Sequence, residues 1–267
     1  MAFDLNNFVI DRIVRGVALS QKDDSVLFSI NQIQNASLNC ASESTDAVDA
    51  MGTPIATFYR AKSCEFSAEN ALFDMNLMAT QLGTTKKVAS AASKIVAPAM
   101  ESFTVKGENY VLKHAPVAAP AEIYAINGDS TFGVKYVKKT AVDANSFVYN
   151  EDDHSIDLPE GVADGTEMFV MYEYETENAV EVVNAATNFP VGCKFVMEVL
   201  GCDVCDQTNL VYAYVIFNNA KLSPDFDWSI ATDGTHPFSM KAQQDYCDKE
   251  KRLFSIVIPE VKDEDEE

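Results

Sequence analysis

The chain has 267 residues, 47% of them hydrophobic and 23% charged, enough apolar material for one large core or two modest ones and too much for a disordered chain. Its 20 Lys and Arg against 41 Asp and Glu give a net charge of −21. That charge repels nucleic-acid phosphates and anionic lipid, and so argues against a reader of DNA or RNA sequence.

The opening sequence, MAFDLNNFVIDRIVRG, has no basic stretch followed by an apolar run, so no export signal is expected. No run of roughly 18 apolar residues predicts a membrane span. Period-two alternation dominates instead, the mark of half-buried strands. Residues 25–30 set Val26, Phe28 and Ile30 on one face. Residues 54–66 set Ala56, Phe58, the stems of Arg60 and Lys62, Cys64 and Phe66 on one face. One helix is expected next. Ser67 serves as its N-cap, Glu69 lies in its first turn, and Leu72, Met75, Ala79 and Leu82 recur at helical spacing as its packing face. Gly83 is the expected C-terminal cap. Residues 84–99 (TTKKVASAASKIVAPA) are low in complexity and read as a loop or mobile arm.

The spacing then changes. Short strands are expected at 110–114, 122–126, 132–137, 147–149, 155–158 and 167–174, separated by turns such as Asn127-Gly128-Asp129 and Pro159-Glu160-Gly161. Longer strands return at 191–200, 209–217 and 253–258, the middle one apolar on both faces as a central or interface strand would be. Residues 261–267 (VKDEDEE) read as a solvated tail. The expected fold class is mainly β, with two packed antiparallel sheets and one flanking helix. A small immunoglobulin-like β-sandwich at 101–185 is inserted into a discontinuous main domain of 1–100 and 186–267.

No catalytic, cofactor-binding or metal-binding residue is assigned. The six cysteines are scattered, and reduced thiols are the default in a chain without an export signal. Cys202 and Cys205 form a CxxC, which serves in zinc or redox sites. Here it leads straight into a β run, so a hairpin turn with two free thiols is the preferred reading over a metal site. The three histidines are far apart, and none of the nucleotide, hydrolase or metalloprotease motifs occurs. An enzyme is therefore not expected.

The last third runs Phe195-Val-Met-Glu-Val-Leu, then Val211-Tyr-Ala-Tyr-Val-Ile-Phe-Asn-Asn-Ala-Lys-Leu, a Thr232-Asp-Gly turn, Pro237-Phe-Ser-Met-Lys-Ala and Leu253-Phe-Ser-Ile-Val-Ile. It resembles the end of the major tail tube proteins of tailed bacteriophages. The unit from Arg60 to Gly83 (RAKSCEFSAENALFDMNLMATQLG) is similar to their strand-into-helix segment. The resemblance implies a structural virion protein, assembled in the host bacterial cytoplasm. Its copies form hexameric rings that stack into a tube through which phage DNA passes without specific binding. Its partners would be its own copies and other tail proteins, including baseplate, tail terminator and, in a contractile tail, a sheath.

Within that reading the acids gain a role, because a carboxylate-lined lumen repels DNA and lets it slide. Asp23, Asp24, Glu43, Asp46 and Asp49 are the candidate lining residues, with solvent-exposed loops as the alternative. Thr84, Lys86, Lys87 and Lys94 mark residues 84–99 as a candidate inter-ring arm, with a plain surface loop as the alternative. Competing readings are a capsid decoration or head protein and a carbohydrate-binding module. The module would need exposed aromatic rings, whereas Tyr110, Tyr124, Tyr136, Tyr149, Tyr172 and Tyr174 alternate as core residues would.

Overall fold

The computed structural model describes residues 7–246 and 249–259. Cys247 and the acidic tail expected at 261–267 lie outside them. In chain order the elements begin with β1 (Phe8–Ser20), β2 (Val26–Ile30), β3 (Ile33–Val48), β4 (Pro54–Asn70) and α1 (Met75–Gln81). Next come β5 (Lys87–Val88), β6 (Ile95–Thr104), β7 (Asn109–Val111), β8 (Glu122–Ile126), β9 (Phe132–Lys138), β10 (Ser146–Asn150), β11 (Ser155–Asp157), β12 (Glu167–Thr176) and β13 (Val180–Glu181). The chain closes with β14 (Gly192–Asp203), β15 (Asp206–Leu222), β16 (His236–Ala242) and β17 (Ser255–Val257). The protein is thus mainly β, 56% strand, with several antiparallel sheets, one helix among the described residues and an architecture consistent with a β-sandwich.

The chain divides into two compact units, Met1–Lys86 with Val182–Glu267, and Lys87–Glu181. The first unit holds an eight-stranded sheet in the order β2-β1-β14-β15-β16-β4-β3, with β17 also on β15. β15 is central, as its two apolar faces predict: it pairs β14 on one side, and β16 and β17 on the other. Phe66 anchors the core, its ring 5.8–6.0 Å from those of Phe195, Phe217 and Phe238. Gly16 makes room for this cluster, since a Cβ there would lie 2.7 Å from the Phe195 ring. Leu77 and Ala79 of α1 are buried against the same unit.

The helix begins later than the sequence predicts. Ser67 and Glu69 are strand residues, because β4 continues to Asn70 in register with β16. Asp74 is the N-cap instead, its carboxylate accepting the backbone N–H groups of Asn76 and Leu77 at 2.9 and 2.7 Å. Leu72 therefore lies ahead of the helix and is exposed rather than packed. Met75 and Leu82 are half-buried, and of the four expected packing residues Ala79 is buried. Gly83 ends the helix with φ +67°. The N–H groups of Gly83 and Thr84 bond Thr80 O and Ala79 O at 3.2 and 2.8 Å, a Schellman closure.

The second unit holds a seven-stranded sheet in the order β6-β12-β8-β9-β10-β11-β7, with a parallel β9–β10 pair, and a short β5–β13 ladder. Ile123, Phe147, Ile156, Met168 and Val170 form its buried centre. Glu101 is buried among them and accepts from Tyr110 Oη at 2.9 Å, from the Lys113 N–H at 3.1 Å and from Tyr172 Oη. This lack of solvent and the Glu101 charge push the Tyr110 hydroxyl up to about 12.

The low-complexity segment 84–99 divides: 84–94 is mostly turn and irregular chain with the two-residue β5, whereas 95–99 is the first half of β6. β6 pairs β12 over its whole length and buries Ile95, Ala99, Glu101 and Phe103 in strict alternation. Small residues and Pro98 mask this alternation in the sequence, but their faces still alternate once the ladder forms. Lys87 and Lys94 meet Glu181 (3.7 Å), and Glu175 and Glu177 (3.8 and 3.9 Å), as surface ion pairs.

Candidate assembly surface

Every residue from 34 to 63 is exposed, although 37–48 and 54–63 lie in the paired strands β3 and β4. Half-buried strands need a second layer. Here alternation continues past the last buried residue of β4, Cys64, into a two-stranded arm with both faces in solvent. At about 3.4 Å per residue, the stretch from 41 to 48 carries the arm roughly 25 Å outward. Asp49 shapes the tip: its carboxylate accepts the N–H groups of Met51 and Thr53 at 2.9 and 2.8 Å, and Gly52 takes φ +83°.

The arm carries large apolar side chains in water. Ile55 is 71% exposed, Phe58 54% and Tyr59 73%. Burying such side chains against a partner is worth about 1.5–3 kcal/mol each. Among the described residues β3 pairs β4 alone, which leaves its outer edge as a long row of backbone donors and acceptors without a strand partner there. Such an edge is a template for another chain's strand unless something covers it.

The candidate lining acids do not converge. Asp23 and Asp24 sit in the β1–β2 turn, while Glu43 and Asp46 lie on β3 and Asp49 at the arm tip. All five are exposed. Glu43 pairs Arg60 and Asp46 pairs Thr57 in the ladder, and residues three apart on a strand point to opposite faces. Hydrogen bonds from Ser20 and Ser25 hold Asp23 below the usual carboxylate range.

Of the cysteines, Cys40 and Cys64 are joined as a disulfide, which corrects the expectation of reduced thiols throughout. They stand directly opposite in the β3–β4 ladder with Cα atoms 4.3 Å apart, the spacing of a non-hydrogen-bonded antiparallel pair. Sequence spacing gave no hint of this pairing, which depends on the β3–β4 register. Cys202 lies near the end of β14 and Cys205 in the two-residue turn to β15, and both carry free thiols. Cys193 is a buried free thiol, pushed up to about 11 by desolvation. Among the described residues no three His, Cys, Asp or Glu side chains gather as a metal-binding group, and no helix is long and apolar enough to cross a membrane.

The six tyrosines of the second unit divide. Tyr136 and Tyr172 are buried, whereas Tyr124 lies in register with Phe169 on the face opposite Met168 and Val170. There it packs against Phe132 at 5.3 Å. The model of the YomU/Tube protein family, a family of phage tube proteins, matches residues 8–253. No curated protein matches the chain.

Proposed function

Because the chain belongs to the YomU/Tube protein family, we propose that it builds the phage tail tube as hexameric rings, stacked into a conduit for DNA ejection. Family membership makes it a structural component of the virion tail, one that works with its own copies and other tail proteins. The observation that carries the finer reading is the β3–β4 arm, exposed from 34 to 63 and open along the β3 edge. A ring closes by a head-to-tail contact in which one copy's protrusion meets a different surface of the next. The arm is such a protrusion. Its free edge can extend a neighbour's sheet by backbone pairing, while Ile55, Phe58 and Tyr59 supply apolar area.

In this reading the inter-copy arm is the β3–β4 hairpin, which is longer and more apolar than the mostly exposed stretch 84–94 that precedes β6. The first unit, with its discontinuous chain, is the tube-forming domain, and residues 87–181 are an insertion of separate role. The net charge of −21 keeps DNA from adhering to the conduit. Assembly takes place in the host cytoplasm, and the protein performs no catalysis.

The test is negative-stain microscopy of the concentrated protein, alone and with purified tail-initiator complex. It is repeated with a variant whose residues 43–60 are replaced by a short Gly-Ser turn. Hollow six-fold tubes from the full chain, and none from the shortened one, are expected. Tubes of normal length from the shortened chain, or shells without a channel from the full chain, would overturn the reading.

A further inference from the structure

A strand is held in register by its buried face: shifting the pairing by one residue moves every core side chain into solvent. The distal arm lacks that constraint, because residues 34–63 are exposed on both faces. Something other than burial must therefore specify how 43–48 lies against 54–60.

Two irregularities make the question sharper. Between Gln34/Glu69 and Ser37/Ser67 the ladder gains a residue on β3, where Asn35 takes φ +53°. Between Ala41/Ser63 and Glu43/Arg60 it gains one on β4, where Ala61 takes φ +48°. Left-handed φ is unfavourable at alanine, so the second bulge needs support from neighbouring pairs. The Cys40–Cys64 disulfide lies between the two bulges, one ladder step from the pair that opens the second. Cys64 is 3% exposed, on the body side, and Cys40 is exposed.

We propose that the Cys40–Cys64 disulfide is a redox-set register pin for the arm, fixing which faces Phe58 and Tyr59 present to a partner. Phe58 pairs Thr45 and Tyr59 pairs Ser44, so the two rings lie on opposite faces. A one-residue slip relative to β3 exchanges the cross-strand neighbours of both rings. The covalent bond between Cys40 and Cys64 forbids that slip at the root. As a dithiol the root loses its covalent tie at this pair, and the distal ladder beyond it is free to shift.

The closing reaction needs a disulfide oxidant, and a small-molecule disulfide such as oxidised glutathione supplies it. The exposed Cys40 thiolate attacks one sulfur of the oxidant, and the first small thiol leaves. The Cys64 thiolate then attacks Cys40 Sγ in the mixed disulfide, and the second small thiol leaves. Two protein thiols are oxidised by two electrons and one small disulfide is reduced to two thiols. A reducing medium keeps the root open and an oxidising one closes it.

The significance for assembly rests on the arm being the contact between copies, so the experiment separates the two. The full-length chain is prepared in dithiothreitol, in oxidised glutathione, and as Cys40→Ser. Peptide mapping locates the bond, and amide hydrogen exchange is followed across 43–60 and across β16. The expected result is a Cys40–Cys64 linked peptide in the oxidised sample. Arm exchange should be at least about tenfold faster in the reduced and Cys40→Ser samples, with β16 unchanged. Separate alkylation of both cysteines in the oxidised sample would overturn the proposal, as would equal arm exchange in all three. Tube formation is scored on the same samples. Equal tubes despite redox-dependent arm exchange leave the pin standing and remove the arm from the contact between copies.

Discussion

His236 donates from Nε2 to Gln81 Oε1 at 2.8 Å, while its Nδ1 accepts the backbone N–H of Asp74 at 3.4 Å. The fully buried imidazole therefore ties the last residue of α1 to its N-cap. Gln81 completes the connection by donating to Pro237 O at 3.2 Å. Phe73 stacks on the ring at 5.2 Å, and Trp228 stacks on Phe73 at 4.4 Å. In this arrangement Nδ1 must be unprotonated, because a second proton would face the Asp74 N–H.

Desolvation lowers the pKa of His236 from 6.5, with the Asp74 carboxylate opposing it. The unfolded chain takes up a proton near pH 6.5, whereas the folded chain does so only at lower pH. Stability is thus fully present above 6.5 and is lost as pH falls from 6.5 towards the folded value. Thermal melts at closely spaced pH should show a falling midpoint just below pH 6.5. His236→Gln, which cannot titrate, should flatten that part of the curve. An identical slope in the variant would show that other groups cause it.

Glu101 serves three donors at once inside the second unit. Glu101→Ala removes the acceptor of the buried Tyr172 hydroxyl, the half-buried Tyr110 hydroxyl and the Lys113 N–H, and a buried orphan costs about 1–3 kcal/mol. A loss of about 3 kcal/mol or more is expected in urea denaturation followed by near-ultraviolet circular dichroism. Glu101→Gln, which keeps one acceptor oxygen, should lose less. Equal midpoints for Ala and wild type would mean that water replaces the carboxylate.

Gly83 and Gly52 both hold positive φ, +67° and +83°, but in different surroundings. A Cβ on Gly83 would lie 2.2 Å from the backbone oxygen of Phe189, and one on Gly52 would meet nothing within 4 Å. Gly52→Ala should cost only the left-handed strain, about 1–2 kcal/mol at most. Gly83→Ala adds a backbone collision and should cost more than about 3 kcal/mol. Chemical denaturation of the two variants side by side tests the ranking, and equal losses would contradict it.

Glu43 and Asp46 point to opposite faces of the arm. If the arm borders the DNA path, one of these two acids faces the path and the other does not. Glu43→Gln and Asp46→Asn should therefore slow DNA release from assembled particles to different extents, with the combined variant matching the slower. Equal release rates in both single variants would remove the arm from the path.

The sequence by itself determined the β class and most strand positions. Residues 122–126 are β8 as expected, and of Val191, Cys193, Phe195, Met197 and Val199, which alternation puts on one face, all but Val191 are buried; Val191 precedes β14 and is exposed. Period two states which side chains share a face, but not whether anything covers that face. That is why 54–63, which alternates like the buried half of the same strand, was not legible as a free arm. Ser67 reads as a helix cap locally, yet pairing with Ser239 on β16 keeps it in β4, and that pairing is 172 residues away in the chain. The Cys40–Cys64 bond depends on strand register, and Tyr124's outward position depends on which side of its sheet the core forms. Local chemistry fixes the alternation, and only the non-local pairings of the tertiary structure decide what each face meets.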